Sequence, residues 1–138
     1  MPLAISTDNA QSGWLKIRIT GNAVAAGLVG AIANPEGVPL QICESYLYFV
    51  APSTAASTFN IGIGTAIADS LDLVSAFAMN SAAGTVWKVV GTDRASEAAA
   101  TTPWGSLWPA ASFLTATSAA QASTGLIADL FVRYIRLT

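Results

Sequence analysis

The segment Gly125–Leu137 (GLIADLFVRYIRL) carries the clearest structural signal in the chain. Alternate residues from Leu126 to Tyr134 are apolar or aromatic, which is the two-residue period of a β-strand. The residues between them are also mostly apolar, and Asp129 and Arg133 are the charged exceptions. A strand that is apolar on both faces is typical of a central position between two covered layers. We therefore predict a central strand here.

Other segments show the same alternation in weaker form. Proline or glycine residues border most of them, as is typical of strand ends. The segments with this pattern are Trp14–Thr20, Leu40–Val50, Thr58–Ile63, Gly84–Gly91 and, less regularly, Phe113–Thr117. Within the fourth of them, Trp87 is predicted to be a core residue, because it alternates with a valine and a lysine.

Two further segments are ambiguous between helix and strand. Ala23–Asn34 is rich in alanine, but Gly27 and Gly30 would each cost a helix interior about 1 kcal/mol. Because the segment also ends in the turn signal Asn-Pro-Glu-Gly, we predict a strand followed by a loop. Asp69–Asn80 fits either a short helix capped at its start or a strand through Leu73–Met79, and the pattern leaves both open.

These patterns add up to six to eight short strands separated by regularly spaced turn signals. Such spacing predicts an all-β fold, either an antiparallel β-sandwich or a jelly-roll-like barrel. The sequence has no alternation of strands and helices and no glycine-rich phosphate loop. Residues 1–12 lack core periodicity and are predicted to form an N-terminal arm, followed by a single β-sandwich domain over residues 13–138.

The chain is poor in charge for its length. Only 10% of its 138 residues are charged, whereas ordinary soluble domains carry about 25%. A compact monomer of this mass would expose roughly 6,700 Å², which gives about one charged side chain per 480 Å². Small neutral residues dominate instead, because alanine contributes 27 residues and serine with threonine 26. We interpret this as a surface covered by other subunits; a monomer with a hydroxyl-rich surface is the alternative.

Composition also excludes several partner classes. A net charge of −2 with six basic residues argues against binding to nucleic acid. The long uncharged runs Ser45–Ala68 and Ala98–Ala128 contain prolines and many polar residues, so neither predicts a membrane-spanning helix. Cys43 is the only cysteine, which rules out an intramolecular disulfide, and we predict that it is a small buried hydrophobe.

Catalytic residues are hard to find in this sequence. The absence of histidine removes the usual Ser-His and Cys-His arrangements. Glu44 and Asp129 lie in strongly apolar strands and are the one carboxylate pair that suggests glycosidase chemistry. The simpler interpretation is that each carboxylate is paired with an arginine, and Arg133 lies four residues from Asp129 on the same strand face. We therefore predict no enzymatic activity.

Metal binding is equally weakly indicated. Asp69 and Asp72, with Asn80, offer oxygen ligands of the kind that calcium prefers. Their spacing does not match a known calcium loop, and carboxylates of this kind usually cap helices or lie in solvated turns. We expect no metal and no cofactor.

Aromatic residues give the interface candidates. Trp104 and Trp108 lie beside Pro103 and Pro109 in a predicted loop, and Trp14 lies at the start of an alternating strand. Tryptophan is a frequent anchor of protein interfaces. Exposed tryptophans also stack on sugar rings, and a loop folded over the core is a third interpretation. The sequence alone does not separate these roles.

Three segments resemble a family of small virion-associated proteins of tailed bacteriophages. They are Gly27–Ile42 (GLVGAIANPEGVPLQI), Ser53–Leu73 with its STAASTFNIGIG and SLDL elements, and the ending GLIADLFVRYI. Members of the family typically show a G-x-A-N-P-E-G turn before a hydrophobic strand and end in Tyr-Ile. The resemblance covers Gly27–Leu137 and leaves Thr92–Ser106 unmatched.

The resemblance implies a capsid decoration, or cement, protein with a β-sandwich or jelly-roll-like fold. Such a protein would be made in the host cytoplasm and would sit on the capsid surface of the virion as a homotrimer. Its partners would be its sister copies and the major capsid protein, with no nucleic acid and no membrane. A glycan- or receptor-binding module of a phage head or tail fibre is the alternative.

Overall fold

The computed structural model describes residues 12–64, 73–88 and 106–137. Within these ranges the chain forms nine β-strands and no helix. The strands are β1 (Ser12–Thr20), β2 (Gly27–Ala33), β3 (Leu40–Ala51), β4 (Thr58–Gly64), β5 (Val74–Ala78), β6 (Val86–Lys88), β7 (Ser106–Trp108), β8 (Phe113–Ser118) and β9 (Ile127–Arg136). The strands form two antiparallel sheets, so the predicted all-β sandwich class is confirmed.

The first sheet has five strands and contains the C-terminal strand at its centre. Its order is β1-β9-β3-β6, and the short strand β7 pairs with β3 beyond the end of β6. The predicted central position of β9 is confirmed, because β3 flanks it along its length and β1 flanks it from Ile127 to Ile135. The expectation that both its faces are covered is wrong for the outer face, where Phe131 and Arg133 are only half-buried and Ile135 is 39% exposed.

The second sheet has four strands in the order β2-β8-β4-β5, and it packs on the inner face of the first. Aromatic rings from both sheets meet between them. Phe49 of β3 makes an edge-to-face contact with Phe59 of β4 and stacks on Phe77 of β5, with centroid separations of 6.3 and 5.9 Å. Such ring pairs contribute about 0.5–1.5 kcal/mol each beyond the burial of their area.

The structure resolves the two ambiguous segments as strands. The predicted strand and loop in the alanine-rich segment are confirmed by β2, and Val74–Ala78 forms β5 rather than a helix. Residues 65–72 lie outside the described residues. The structure describes one strand more than the predicted six to eight. The strand that the sequence does not predict is β7, which has only three residues and ends directly before Pro109.

One buried asparagine fixes the turn before β3. Asn34 accepts hydrogen bonds at its Oδ1 from the backbone N–H groups of Glu36 and Gly37, at 2.9 and 3.1 Å. Its amide donates to the carbonyl oxygens of Val38 and Trp108 at 2.9 and 3.0 Å. Gly37 has a φ of +68°, which glycine adopts without strain. A single side chain therefore connects this turn to β7.

Two core predictions need correction. Trp87 is 45% exposed, because β6 is a short strand at the sheet edge whose inner face is only partly covered; its ring makes an edge-to-face contact with Phe77 at 5.3 Å. Cys43 is half-buried rather than buried. It lies at a β-bulge, where the register of β3 against β9 shifts between Ile42 and Glu44.

Candidate interface surface

The outer face of the five-stranded sheet is the side that points away from the four-stranded sheet. The ladder register places on it a mixture of charged, aromatic and aliphatic side chains. We use the name outer face for the set Trp14, Lys16, Arg18, Gln41, Glu44, Tyr46, Tyr48, Val86, Leu107, Asp129, Phe131, Arg133 and Ile135. Four of these are large hydrophobic residues that are 39–60% exposed: Trp14, Val86, Leu107 and Ile135.

Charge is distributed unequally between the two sheets. The four strands of the second sheet contain no charged residue, since their sequences are GLVGAIA, TFNIGIG, VSAFA and FLTATS. Every charged residue of the described strands therefore belongs to the five-stranded sheet. Among the described strands, one sheet is therefore charged and aromatic and the other is neutral.

A nearly buried carboxylate holds two basic residues on the outer face. Arg18 donates from Nε and Nη2 to the two carboxylate oxygens of Asp129, each at 2.9 Å. The Nζ of Lys16 lies 3.7 Å from the same carboxylate. The hydrogen bonds from Arg18 lower the pKa of Asp129, although burial acts in the opposite direction. Asp129 is only 3% exposed, so the carboxylate lies within the sheet surface while the Arg18 side chain is half exposed.

A second ion pair lies further along the same face. Arg133 donates from Nε to Glu44 at 2.7 Å, and the Tyr46 hydroxyl donates to the other oxygen of this carboxylate. The bond to Glu44 raises the pKa of both Arg133 and Tyr46. The expectation of arginine pairing is thus met, but Arg133 pairs with Glu44 and not with Asp129.

Cross-strand register explains why Arg133 pairs with Glu44 and Arg18 pairs with Asp129. Residues four apart on one strand are separated by about 13 Å, whereas directly opposed residues on neighbouring strands are about 5 Å apart. Glu44 lies opposite Arg133, and Arg18 lies opposite Asp129. The same geometry argues against the glycosidase hypothesis, because the two carboxylates are roughly four residues apart along the sheet and each is held by an arginine.

The aromatic candidates occupy different environments. Trp14 stacks on Tyr46 across β9 with ring centroids 6.3 Å apart, and it remains 56% exposed. Trp108 is fully buried by its own chain, and its Nε1 donates to the carbonyl oxygen of Ser112 at 3.0 Å. Pro109 is exposed. Trp104 and Pro103 lie outside the described residues. Because the Trp108 ring is buried, it is not available to stack on a sugar, as one interpretation of the sequence requires.

Sequence reasoning groups residues on one face of a single strand, but it does not show that several strands build the outer face together. Val86, Leu107 and Ile135 lie on one surface because β6, β7 and β9 all pair with β3. Alternation within each strand identifies an outward residue, but it does not show which strands share a sheet. The signal available from the sequence is the alternation within β1 and within β9, which places Trp14 with Lys16 on one face of β1 and Asp129 with Arg133 on one face of β9.

The described residues show no metal site and no membrane-spanning helix. No group of three or more cysteine, aspartate or glutamate side chains is placed to hold a metal within them. They also include no helix with the length and apolar character needed to cross a bilayer. The calcium candidates Asp69 and Asp72 lie outside the described ranges, whereas Asn80 is exposed after β5.

Comparison with known proteins gives one structural likeness. No protein-family model matches the chain, and no curated protein matches it. Among solved structures, the chain is similar to a chain from the "Capsid of Ralstonia phage GP4", with 16% sequence identity and a TM-score of 0.52. The likeness covers 99% of this chain and 90% of that chain. The two chains therefore share a fold over nearly the whole length of each.

Proposed function

We propose that the chain is a non-enzymatic virion structural protein, namely a capsid decoration (cement) protein that acts as a trimer. It would bind the outside of the shell formed by the major capsid protein. The fold shared with a chain of a phage capsid carries this proposal. The phage-like segments around the Asn-Pro-Glu-Gly turn and the C-terminal strand support it, as does the low charge of the chain.

The outer face is the surface that we assign to shell contact. Protein interfaces are enriched in aromatic residues and arginine, and this face combines Trp14 and Tyr46 with Arg18 and Arg133. Both arginines are held by carboxylates, so their orientation is fixed before binding. A preorganised surface loses less side-chain entropy when it meets its partner.

Stabilisation follows from mass action and needs no catalytic group. A protein that binds the assembled shell but not its dissociated subunits stabilises the shell by about 2.7 kcal/mol per site at a concentration of 100 times its Kd. Three linked copies bind more tightly than one, because the second and third contacts form at high effective concentration. Small neutral side chains favour such contacts, since little desolvation opposes their burial.

Reconstitution tests this function. Capsids of the phage that encodes the chain would be freed of the protein and mixed with purified chain, then sedimented. We expect saturable co-sedimentation and a higher temperature of shell opening. Failure of the chain to co-sediment at saturating concentration would contradict the proposal, and sedimentation of the isolated protein as a monomer would contradict the trimer.

A further inference from the structure

The sandwich is open along one side, between strands β1 and β2. A slot of about 450 Å³ lies there, which is within the range of about 300–1,000 Å³ found for ligand sites. Its apolar lining comes from both sheets and contains Ile17, Ile19, Val29, Ile32, Leu114 and Ala116. Lys16 and Arg18 lie at the rim, with side chains 55% and 52% exposed.

Both strands that border the slot are sheet edges in the described part of the chain. β1 pairs only with β9, and β2 pairs only with β8. The outward backbone N–H and C=O groups of such edges are a template for an added strand. An extended peptide can therefore bond to the edge and direct alternate side chains into the slot.

We propose that the slot binds residues 1–11 of a neighbouring copy of this chain as an added β-strand. These residues (MPLAISTDNAQ) precede β1. They have too few apolar residues for a core strand, but Leu3 and Ile5 are two apart and share one face when extended. Eleven residues span up to about 36 Å, which is enough to leave one copy and lie along β1 of the next.

Charge complementarity supports this occupant. Lys16 and Arg18 share the single carboxylate of Asp129, so two positive charges face one negative charge at the rim. Asp8 is the one charged side chain among residues 1–11. In an extended strand it lies about 10 Å from Ile5. With Ile5 in the slot, Asp8 reaches the rim that carries the excess positive charge.

The sequence before β1 favours a neighbouring copy over the same chain. Folding back onto its own β1 would require a tight hairpin turn, for which Asn-Gly, Asp-Gly or another glycine-containing pair is preferred. The residues available, Asp8–Gln11, contain no glycine. Gly13 is already paired with Tyr134 inside β1. An extended continuation toward another copy avoids this turn.

The inference rests on the proposed assembly of several copies, and it names the segment that links them. Cross-linking between two singly substituted chains tests it. One chain carries Ile5→Cys and the other Val29→Cys, each with Cys43→Ser to remove the native thiol. A disulfide requires the two Cβ atoms to approach within about 4.5 Å. We expect a disulfide-linked heterodimer that reductant dissolves.

The control exchanges Val29→Cys for Val86→Cys, which places the same substitution at an exposed position of β6, away from the slot. The heterodimer should be lost in this control. Equal heterodimer with both partners would overturn the inference, as would a disulfide that forms only when Ile5→Cys and Val29→Cys are on one chain.

A second pair of variants covers the case in which Val29→Cys does not fold. Ile5→Asp should reduce self-association in sedimentation, whereas Ala4→Asp, with the same charge on the opposite strand face, should not. Equal association of both variants would overturn the inference. Loss of the cross-link with retained capsid binding would reject the strand exchange alone, and loss of capsid binding with a retained cross-link would reject the decoration role alone.

Discussion

Arg18 and Asp129 lie opposite each other on β1 and β9 and form a two-point ion pair, although 111 residues separate them in the chain. The carboxylate is nearly buried, whereas the side chain of Arg18 is half exposed. Lys16 approaches the same carboxylate. This arrangement orders the edge of the sheet that borders both the outer face and the slot.

The Arg18–Asp129 pair predicts a loss of stability in acid. Arg18 lowers the pKa of Asp129 in the folded chain below the unfolded value of about 3.9. The contribution of the pair to the free energy of unfolding is therefore complete above that unfolded value and is lost as the pH falls through the folded-state pKa. Urea unfolding across this pH range should show a weaker acid dependence for Asp129→Asn than for the natural chain. An identical dependence would contradict the assignment.

Alanine substitution should lower the free energy of unfolding at Ser123 but not at Ser45. Both are fully buried, but the Ser45 hydroxyl has no hydrogen-bond partner in the described structure, whereas Ser123 Oγ accepts from the N–H of Asn22 at 2.9 Å. Ser45→Ala should be neutral or raise the free energy of unfolding by up to about 1 kcal/mol. Ser123→Ala should lower it by about 1–3 kcal/mol. Chemical denaturation measures both, and equal losses would disprove the distinction.

We expect Asn34 to contribute strongly to the stability of the fold, although the sequence shows it only as part of a turn. Asn34→Ala removes two acceptor bonds in the turn and the donor bonds of the amide, among them those to Val38 and Trp108, so we expect a loss of at least about 1–3 kcal/mol. Asn80→Ala, at an exposed turn position, should stay within about 0.5 kcal/mol of the natural chain. Thermal unfolding of the two variants gives the comparison. A small effect at Asn34 would show that β7 is held by other contacts.

Val86 and Val24 provide a matched test of the outer face. They are 60% and 53% exposed, but only Val86 belongs to the outer face, since Val24 lies between β1 and β2. Val86→Lys should weaken binding to capsids, because a lysine ammonium would have to be desolvated in the contact. Val24→Lys should bind normally, and both variants should unfold at the natural temperature. Equal binding of the two variants would exclude the outer face as the shell contact.

The strands could be predicted from local pattern, but their partners could not. Alternation identified β9 and β1, because the period of side-chain direction is a property of a few consecutive residues. The pairing of Glu44 with Arg133 depends on register between strands 89 residues apart. The sequence therefore suggests a catalytic carboxylate pair, whereas the sheet pairs each of these carboxylates with an arginine.

The burial of Trp108 shows the same limit. A tryptophan beside proline in an irregular segment suggests an exposed anchor. Its position is set by β7 pairing with β3 and by the amide of Asn34, 74 residues earlier in the chain. Such long-range contacts leave no local signature, whereas the Asn-Pro-Glu-Gly turn that supplies the amide was readable from the sequence.

The decoration role is decided by a reconstruction of the virion in which the proposed function places this chain. We expect density for the sandwich on the outside of the capsid in groups of three, with the outer face of the five-stranded sheet against the major capsid protein. Absence of the chain from the capsid exterior, or single copies that touch the shell through the neutral four-stranded sheet, would contradict it.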